Sequence, residues 1–215
     1  METDQNKFLK TGTTTIGIVC KDGIVIGADK RATAGNLIVD AQAEKVHDIG
    51  NEMAITIAGM VSDAQLLTKL IKAEIKIKDM RTLRKTTVKE ASNLLAGIVY
   101  GNIRRMSMVP GVTHFLLGGK DNTGYHLYDI FPDGSITHID KFIASGSGSV
   151  IAYGVLETQW KPNLSIDEGM KLLAKSVNAA IQRDSASGNG LDIVTIDAKG
   201  LRFAVRKQTK VSVEL

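Results

Sequence analysis

The sequence predicts an α+β fold, more specifically a four-layer αββα sandwich, and three observations lead to it. Short β-branched runs come in consecutive groups, amphipathic helical stretches come in two pairs, and the two alternate as strands, helices, strands, helices, strands. The strand–helix–strand alternation of a parallel sheet does not occur. Two antiparallel sheets stacked face to face, with a helix pair on each outer face, bury all four apolar helix stripes together. Size and composition suit this plan. The chain has 215 residues, 43% hydrophobic and 23% charged, enough for one domain whose core needs neither disulfide nor metal.

The first periodic segment is Thr13 to Cys20, followed by Lys21-Asp22-Gly23 and then Ile24 to Lys30. Two β-branched runs around a Gly-ended three-residue connection read as a hairpin. With Gly23 left-handed, Cys20 pairs with Ile24 and Thr15 with Asp29. Short strands follow at Ile38-Val39, Lys45 to Ile49 and Met53 to Ala58, with a turn at Gly50-Asn51. The period then changes. Ser62 to Gln65 reads as a capping box, and Ala64, Leu67, Leu70, Ile71 and Ile75 recur at helical spacing. Thr87 to Glu90 is a second capping box, opening a helix through Ala91, Leu95 and Ile98 that stops before Pro110-Gly111.

Strands resume at Thr113 to Gly118, Tyr125 to Ile130 and Ser135 to Ile139, separated by Asp121-Asn122 and Pro132-Asp133-Gly134 turns. The Gly/Ser segment Ser145 to Ser149 leads into a helix containing Ile151, Val155 and Leu156. Ser165 to Glu168, a third capping box, starts a helix through Leu172, Leu173, Val177 and Ile181. Two last strands, Leu191 to Ile196 and Leu201 to Val205, flank the Asp197-Ala-Lys-Gly200 turn. No internal repeat or linker interrupts the chain.

Several function classes are excluded or disfavoured. No apolar run reaches the length of a membrane span, and Met1 to Gly12 lacks the apolar stretch of a secretory signal. A single cysteine, Cys20, forbids an internal disulfide and points to a reducing cytoplasm. The net charge of +4 comes from scattered Lys and Arg, so solubility explains it better than nucleic-acid binding. The histidines His47, His114, His126 and His138 lack metal-site spacing and read as surface or satisfied core residues. Gly146-Ser147-Gly148 lacks the Gly-Lys-Ser/Thr of a phosphate loop, and no Gly-x-Ser-x-Gly elbow is present.

The informative segment is Gly12-Thr13-Thr14-Thr15-Ile16-Gly17. By composition it is simply the start of a strand, since Thr favours strands and Gly the preceding turn. Its company changes the balance: Gly27-Ala-Asp29-Lys-Arg31-Ala-Thr33, Lys45, Ile57-Ala-Gly59, Ser145 to Ser149 with Ala152 to Glu157, and Arg183-Asp184-Ser-Ala-Ser187-Gly188. From Gly12 to about Val205, with these motifs in order, the sequence resembles the catalytic β subunit of the proteasome core particle, archaeal type. The resemblance implies the N-terminal-nucleophile hydrolase fold, in agreement with the sandwich. It also implies that Met1 to Gly12 is a propeptide removed by self-cleavage before Thr13, leaving residues 13–215 as the catalytic domain.

The chemistry follows physical rules. A threonine hydroxyl is a weak nucleophile until a base takes its proton. Cleavage before Thr13 frees an α-amine, whose ordinary pKa of about 7.7–8.0 suits that role, so no histidine is needed. The resemblance places Lys45 beside the Thr13 hydroxyl, with Asp29 holding Lys45 charged and oriented. Residues two apart share a strand face, so the expected hairpin points Asp29 and Thr13 the same way, whereas a two-residue loop would separate them. The resemblance also makes the Gly59 N–H an oxyanion donor and gathers Ser147, Asp184 and Ser187 around the terminal amine. By local sequence alone, 146–148 reads equally as a turn into a helix and 184–190 as a helix C-cap.

Around the residue before the cut, the resemblance puts Ala32, Ala43, His47, Ile57 and Val61, with Thr33 on the substrate backbone. Ala, Ile and Val make that pocket apolar, favouring large hydrophobic side chains, with His47 the exception. Ala32, Ile57 and Val61 read equally as core packing. Implied partners are seven-membered β rings stacked in pairs, flanking α rings, a regulatory unfolding ATPase and unfolded polypeptide substrates, without cofactor, metal, nucleic acid or membrane. Two other readings are a bacterial two-component relative that works with a separate ATPase, and an inactive structural β-ring subunit. The 152–157 and 183–188 stretches disfavour the first, and the Thr13/Lys45 pair disfavours the second.

Overall fold

A computed structural model describes residues 12–209. The expected propeptide therefore lies outside the described residues except for Gly12. One sheet has the order β10-β1-β2-β11-β12, built from β1 (Thr15–Cys20), β2 (Gly23–Asp29), β10 (Phe142–Ser145), β11 (Gly190–Asp197) and β12 (Gly200–Gln208). The other runs β5-β6-β7-β8-β9, from β5 (Val46–Gly50), β6 (Met53–Gly59), β7 (Thr113–Asp121), β8 (Gly124–Ile130) and β9 (Ile136–His138). All their pairings are antiparallel. A separate ribbon pairs β3 (Ala32–Ala34) with β4 (Leu37–Asp40). Helices α1 (Val61–Thr82) and α2 (Val88–Ile103) follow β6, and α3 (Ser149–Gln159) and α4 (Ile166–Arg183) follow β10.

Three apolar clusters define the layers. Ile71, Leu95 and Val99 of α1 and α2 pack on Ile55, Phe115 and Leu117 of the second sheet. Leu156, Leu173 and Val177 of α3 and α4 pack on Ile16, Ile18 and Ile193 of the first. Between the sheets, Ile24, Ile26 and Val194 meet Val46, Ala54 and Leu127. This is the expected αββα sandwich.

Two local expectations are corrected. The Thr87–Glu90 and Ser165–Glu168 capping boxes form with both reciprocal bonds. Ser62 does not cap α1, whose N-cap is Met60 without a side-chain bond. The helix entry is set from the backbone: Gly59 turns the chain with φ +99°, and Met60 N–H donates to Val112 O at 2.9 Å. Ser62 then falls inside the first turn and donates to Asp63 Oδ2.

The β1–β2 hairpin also differs. Its connection is the two residues Lys21-Asp22, with Cys20 opposite Gly23 and Thr15 opposite Ala28. Gly23 has no positive φ and serves for close approach instead, since a Cβ there would lie 2.2 Å from Ile196 O. Parity would now separate Thr13 from Asp29. They meet nevertheless, because β1 begins only at Thr15 and Thr13 is held by other elements.

Candidate active site

The expected catalytic residues converge at one end of the sheets. Thr13 precedes β1, Asp29 ends β2, Lys45 precedes β5, Gly59 ends β6, and Ser147 sits between β10 and α3. Asp184 is the C-cap of α4, and Ser187 lies in the loop to β11.

Asp29 is the hub. Its Oδ1 accepts from Thr13 Oγ1 at 2.8 Å, Thr14 N at 2.9 Å and Lys45 Nζ at 2.7 Å. Its Oδ2 accepts from Arg31 N at 3.0 Å and Gly188 N at 2.8 Å. Lys45 Nζ also hydrogen-bonds Thr13 Oγ1, so the hydroxyl lies between ammonium and carboxylate. Asp29, Lys45 and Thr13 are all buried. Burial pulls the Lys45 pKa below its ordinary value by disfavouring the charged form, and Asp29 opposes this. Lys45 is therefore easier to deprotonate than an exposed lysine.

The backbone of Thr13 is held from the far side. Its N–H donates to Ser147 Oγ at 3.2 Å, and its carbonyl accepts from Gly148 N at 3.3 Å. Gly146 adopts φ +89°, and a Cβ there would stand 2.2 Å from Thr13 O, so only glycine lets this loop close over the residue. Ser147 Oγ donates to Asp184 Oδ2 at 2.6 Å, and Ser187 Oγ to the same oxygen at 2.7 Å. A carboxylate at a helix C-terminus opposes the macrodipole. These hydroxyls, with Ala186 N on Oδ1, offset that at Asp184. The turn and C-cap readings of these segments thus hold together with their contacts around Thr13.

A cavity of about 440 Å³ opens beside Thr13. It is lined by all six expected pocket residues, Ala32, Thr33, Ala43, His47, Ile57 and Val61, together with Lys45 and Gly59. Thr33 Oγ1 accepts from Gly12 N at 3.3 Å. The wall is more polar than expected, with Asp40, Gln42, Glu44 and Gln65 contributing. Among the described residues, the buried His47 Nε2 has no hydrogen-bond partner. Burial lowers the His47 pKa, and Lys72 adds to the effect, so the ring is neutral at neutral pH. A larger cavity of about 600 Å³, between α4 and β11–β12, contains none of these residues.

Some participants have no assignment from the sequence. Thr14 Oγ1 shares a 2.7 Å bond with Ser187 Oγ. Arg31 Nε donates to Asn189 Oδ1 at 2.7 Å and an Arg31 guanidinium N–H to Ser185 O at 2.8 Å, clamping the loop after α4. The Asp29-x-Arg31 spacing was the available signal for Arg31; nothing local marks Asn189. Among the described residues, no group of three or more His, Cys, Asp and Glu could hold a metal ion, and no helix is long and apolar enough to cross a membrane.

Two antiparallel sheets between helix pairs, with the site at the head of β1, are the architecture of the N-terminal-nucleophile hydrolases. The family model described as proteasome subunit matches residues 9–196. A proteasome subunit beta of Methanococcus maripaludis strain C5 is 41% identical over 201 residues, covering 93% of this chain and 90% of the relative. Those of Archaeoglobus profundus (43% over 197 residues, covering 91% and 89%) and Methanohalophilus mahii (41% over 199 residues, covering 93% and 92%) are similar to the same extent. The chain belongs to the proteasome subunit family, and its class of activity is peptide-bond hydrolysis.

Proposed function

We propose that the chain is made as a precursor, cleaves itself between Gly12 and Thr13, and then works as a threonine endopeptidase. The observation that carries this reading is the Thr13 hydroxyl held between Lys45 and Asp29 at the mouth of a cavity. In the uncut chain Thr13 N is an amide and cannot serve as a base. The groups within hydrogen-bond reach of the Thr13 hydroxyl are Lys45 Nζ and Asp29 Oδ1, and the hydroxyl proton leaves towards that pair. After cleavage the α-amine, beside Ser147 and Asp184, takes over. It accepts the Thr13 proton as Oγ1 attacks a peptide carbonyl, and it returns that proton to the leaving amine. Water then hydrolyses the ester with the same base. The Gly59 N–H faces the developing oxyanion.

The pocket takes large hydrophobic side chains against Ala32, Ala43, Ile57 and Val61. Unfolded polypeptides are the substrates, presented by a regulatory unfolding ATPase. The subunit assembles in the cytoplasm into seven-membered β rings stacked in pairs between α rings. Enclosure of this kind lets a weakly selective peptidase coexist with folded proteins. Intact mass spectrometry of the assembled particle tests the scheme: a mature chain beginning at Thr13 is expected, and Thr13→Ala is expected to retain residues 1–12 and cleave no peptide. A particle that cleaves peptides while every β chain retains Met1 to Gly12 refutes it.

A further inference from the structure

We propose that His114 is a positioning residue for this reaction, a strut that ties the strand backing Gly59 to the strand leading into the Thr13-binding loop and so fixes nucleophile and oxyanion donor relative to one another. The proposal rests on the reading of Thr13 and Gly59 given above.

His114 lies in β7 opposite Ala58, and its neighbour Thr113 lies opposite Gly59. Val112 precedes them, and its carbonyl is so close to Gly59 that a Cβ would stand 2.2 Å from it. Residues 112–114 are therefore the wall against which Gly59 is set. From the same strand the His114 ring crosses to the other sheet, where Nδ1 lies 2.7 Å from Ser145 Oγ. Ser145 ends β10 opposite Thr15, and Gly146 to Gly148, which hold Thr13 by both its N–H and its carbonyl, follow at once.

The other ring nitrogen is engaged too. Nε2 lies 2.5 Å from Asp129 Oδ1, a buried carboxylate on β8. An Nε2–H donated to Asp129 selects the tautomer whose Nδ1 accepts the Ser145 hydroxyl proton. Phe131 packs on the ring with centroids 4.8 Å apart. A serine, a histidine and an aspartate in a row resemble a hydrolytic triad, but Ser145 is only 4% exposed and its backbone is held in the β1 ladder. No substrate carbonyl reaches that hydroxyl, so the chain of bonds acts as structure. The cluster between the sheets around Ile24, Ile26 and Leu127 is apolar, and such contacts are non-directional. Hydrogen bonds at both ring nitrogens are directional, and set the offset between the sheets next to the reacting groups.

The test uses assembled, processed particles carrying His114→Ala, His114→Gln, Ser145→Ala, the double His114→Ala/Ser145→Ala, and His126→Ala as a control histidine in β8. Steady-state hydrolysis of a fluorogenic peptide gives kcat and KM for each, with melting temperature measured alongside. Misplacing reacting groups lowers turnover without weakening ground-state binding. We therefore expect kcat to fall about 10- to 100-fold for either alanine variant, with KM within about twofold of wild type. The double variant is expected to be no worse than the weaker single, because both remove the same strut. His114→Gln, whose amide can accept from Ser145 and donate to Asp129, is expected to recover most of the loss, and His126→Ala to match wild type. Wild-type kcat in either alanine variant, or multiplicative losses in the double, overturns the proposal. If His114→Ala does not assemble, Ser145→Ala, which deletes one oxygen, decides by the same criterion. Activity that survives Thr13→Ala would instead overturn the underlying reading of the nucleophile.

Discussion

Asparagine at position 29 exchanges one oxygen for an amide nitrogen, and the site has no tolerance for the exchange. Three donors converge on Oδ1 and two on Oδ2. Only a carboxylate accepts at both atoms. With its nitrogen at Oδ2, the amide faces the N–H groups of Arg31 and Gly188. Turned over, it faces Thr13, Thr14 and Lys45. Each buried donor left unpaired costs about 1–3 kcal/mol, and removing one partner of a buried ion pair costs about 3–5 kcal/mol. These losses overlap, so the net expectation for Asp29→Asn is about 3–5 kcal/mol, a large part of the roughly 5–15 kcal/mol that holds a domain folded. A pH signature follows. Burial already lowers the Lys45 pKa, so the native state binds fewer protons than the unfolded chain between the lowered value and the ordinary 10.5. Stability from this group therefore rises with pH across that window. Without Asp29 the value falls further and the window widens downward, so the gap between variant and wild type narrows as the pH rises through that added part of the window. Urea unfolding followed through Trp160, the one tryptophan of the chain, measures both effects. Equal midpoints at the lower pH, or a gap that fails to narrow at the higher, would refute the reasoning.

Three further outcomes are expected. Gly59→Ala forces a Cβ onto a φ of +99° and to within 2.2 Å of Val112 O. It should lose more than about 1 kcal/mol of stability together with peptide hydrolysis, and a wild-type melting temperature would count against it. Thr87→Ala removes the side-chain half of the α2 capping box, the acceptor of the Glu90 N–H, and leaves the backbone N–H bond to the Glu90 carboxylate. It should lower stability by about 1 kcal/mol in denaturant titration while peptide cleavage and maturation stay normal. Burial, with Asp22 and Glu168 nearby, pushes the Cys20 thiol up to about 12. A thiol reagent at neutral pH should label the chain only after unfolding, and stoichiometric labelling of the native particle would contradict the burial.

Most of the scaffold was legible because its elements carry strong periods. The α4 helix shows an unbroken apolar stripe from Ile166 to Ala180 behind a full capping box, and nothing nearby competes with it. Elements lacking such a signal escaped. The β3 strand is three residues long, and β10 is four residues at a sheet edge. Ser62 to Gln65 carried the same local pattern as the two real capping boxes, yet Gly59 and Met60 had already fixed the helix start through β7. Local signals lose wherever a tertiary contact sets the backbone first.

The site was legible through its resemblance and much less through spacing. Thr13 meets Ser147 across 134 residues and Lys45 across 32, distances over which no local pattern reaches. The hairpin shows the difference most sharply. The expected register, displaced by one residue from the observed one, yields the Thr13–Asp29 contact by strand parity for the wrong reason. Parity governs residues inside a ladder, and the ladder starts at Thr15. Thr13 is placed by Ser147 and Gly148, from the opposite edge of β1, while Asp29 reaches both the Thr14 N–H and the Thr13 hydroxyl. Under the proposed self-cleavage Thr13 becomes a chain end, and such a residue cannot depend on a ladder that extends beyond it. Holding it through its own N–H, carbonyl and hydroxyl is an arrangement in which the last two contacts need no peptide bond before Thr13, and the first survives as an amine–hydroxyl bond.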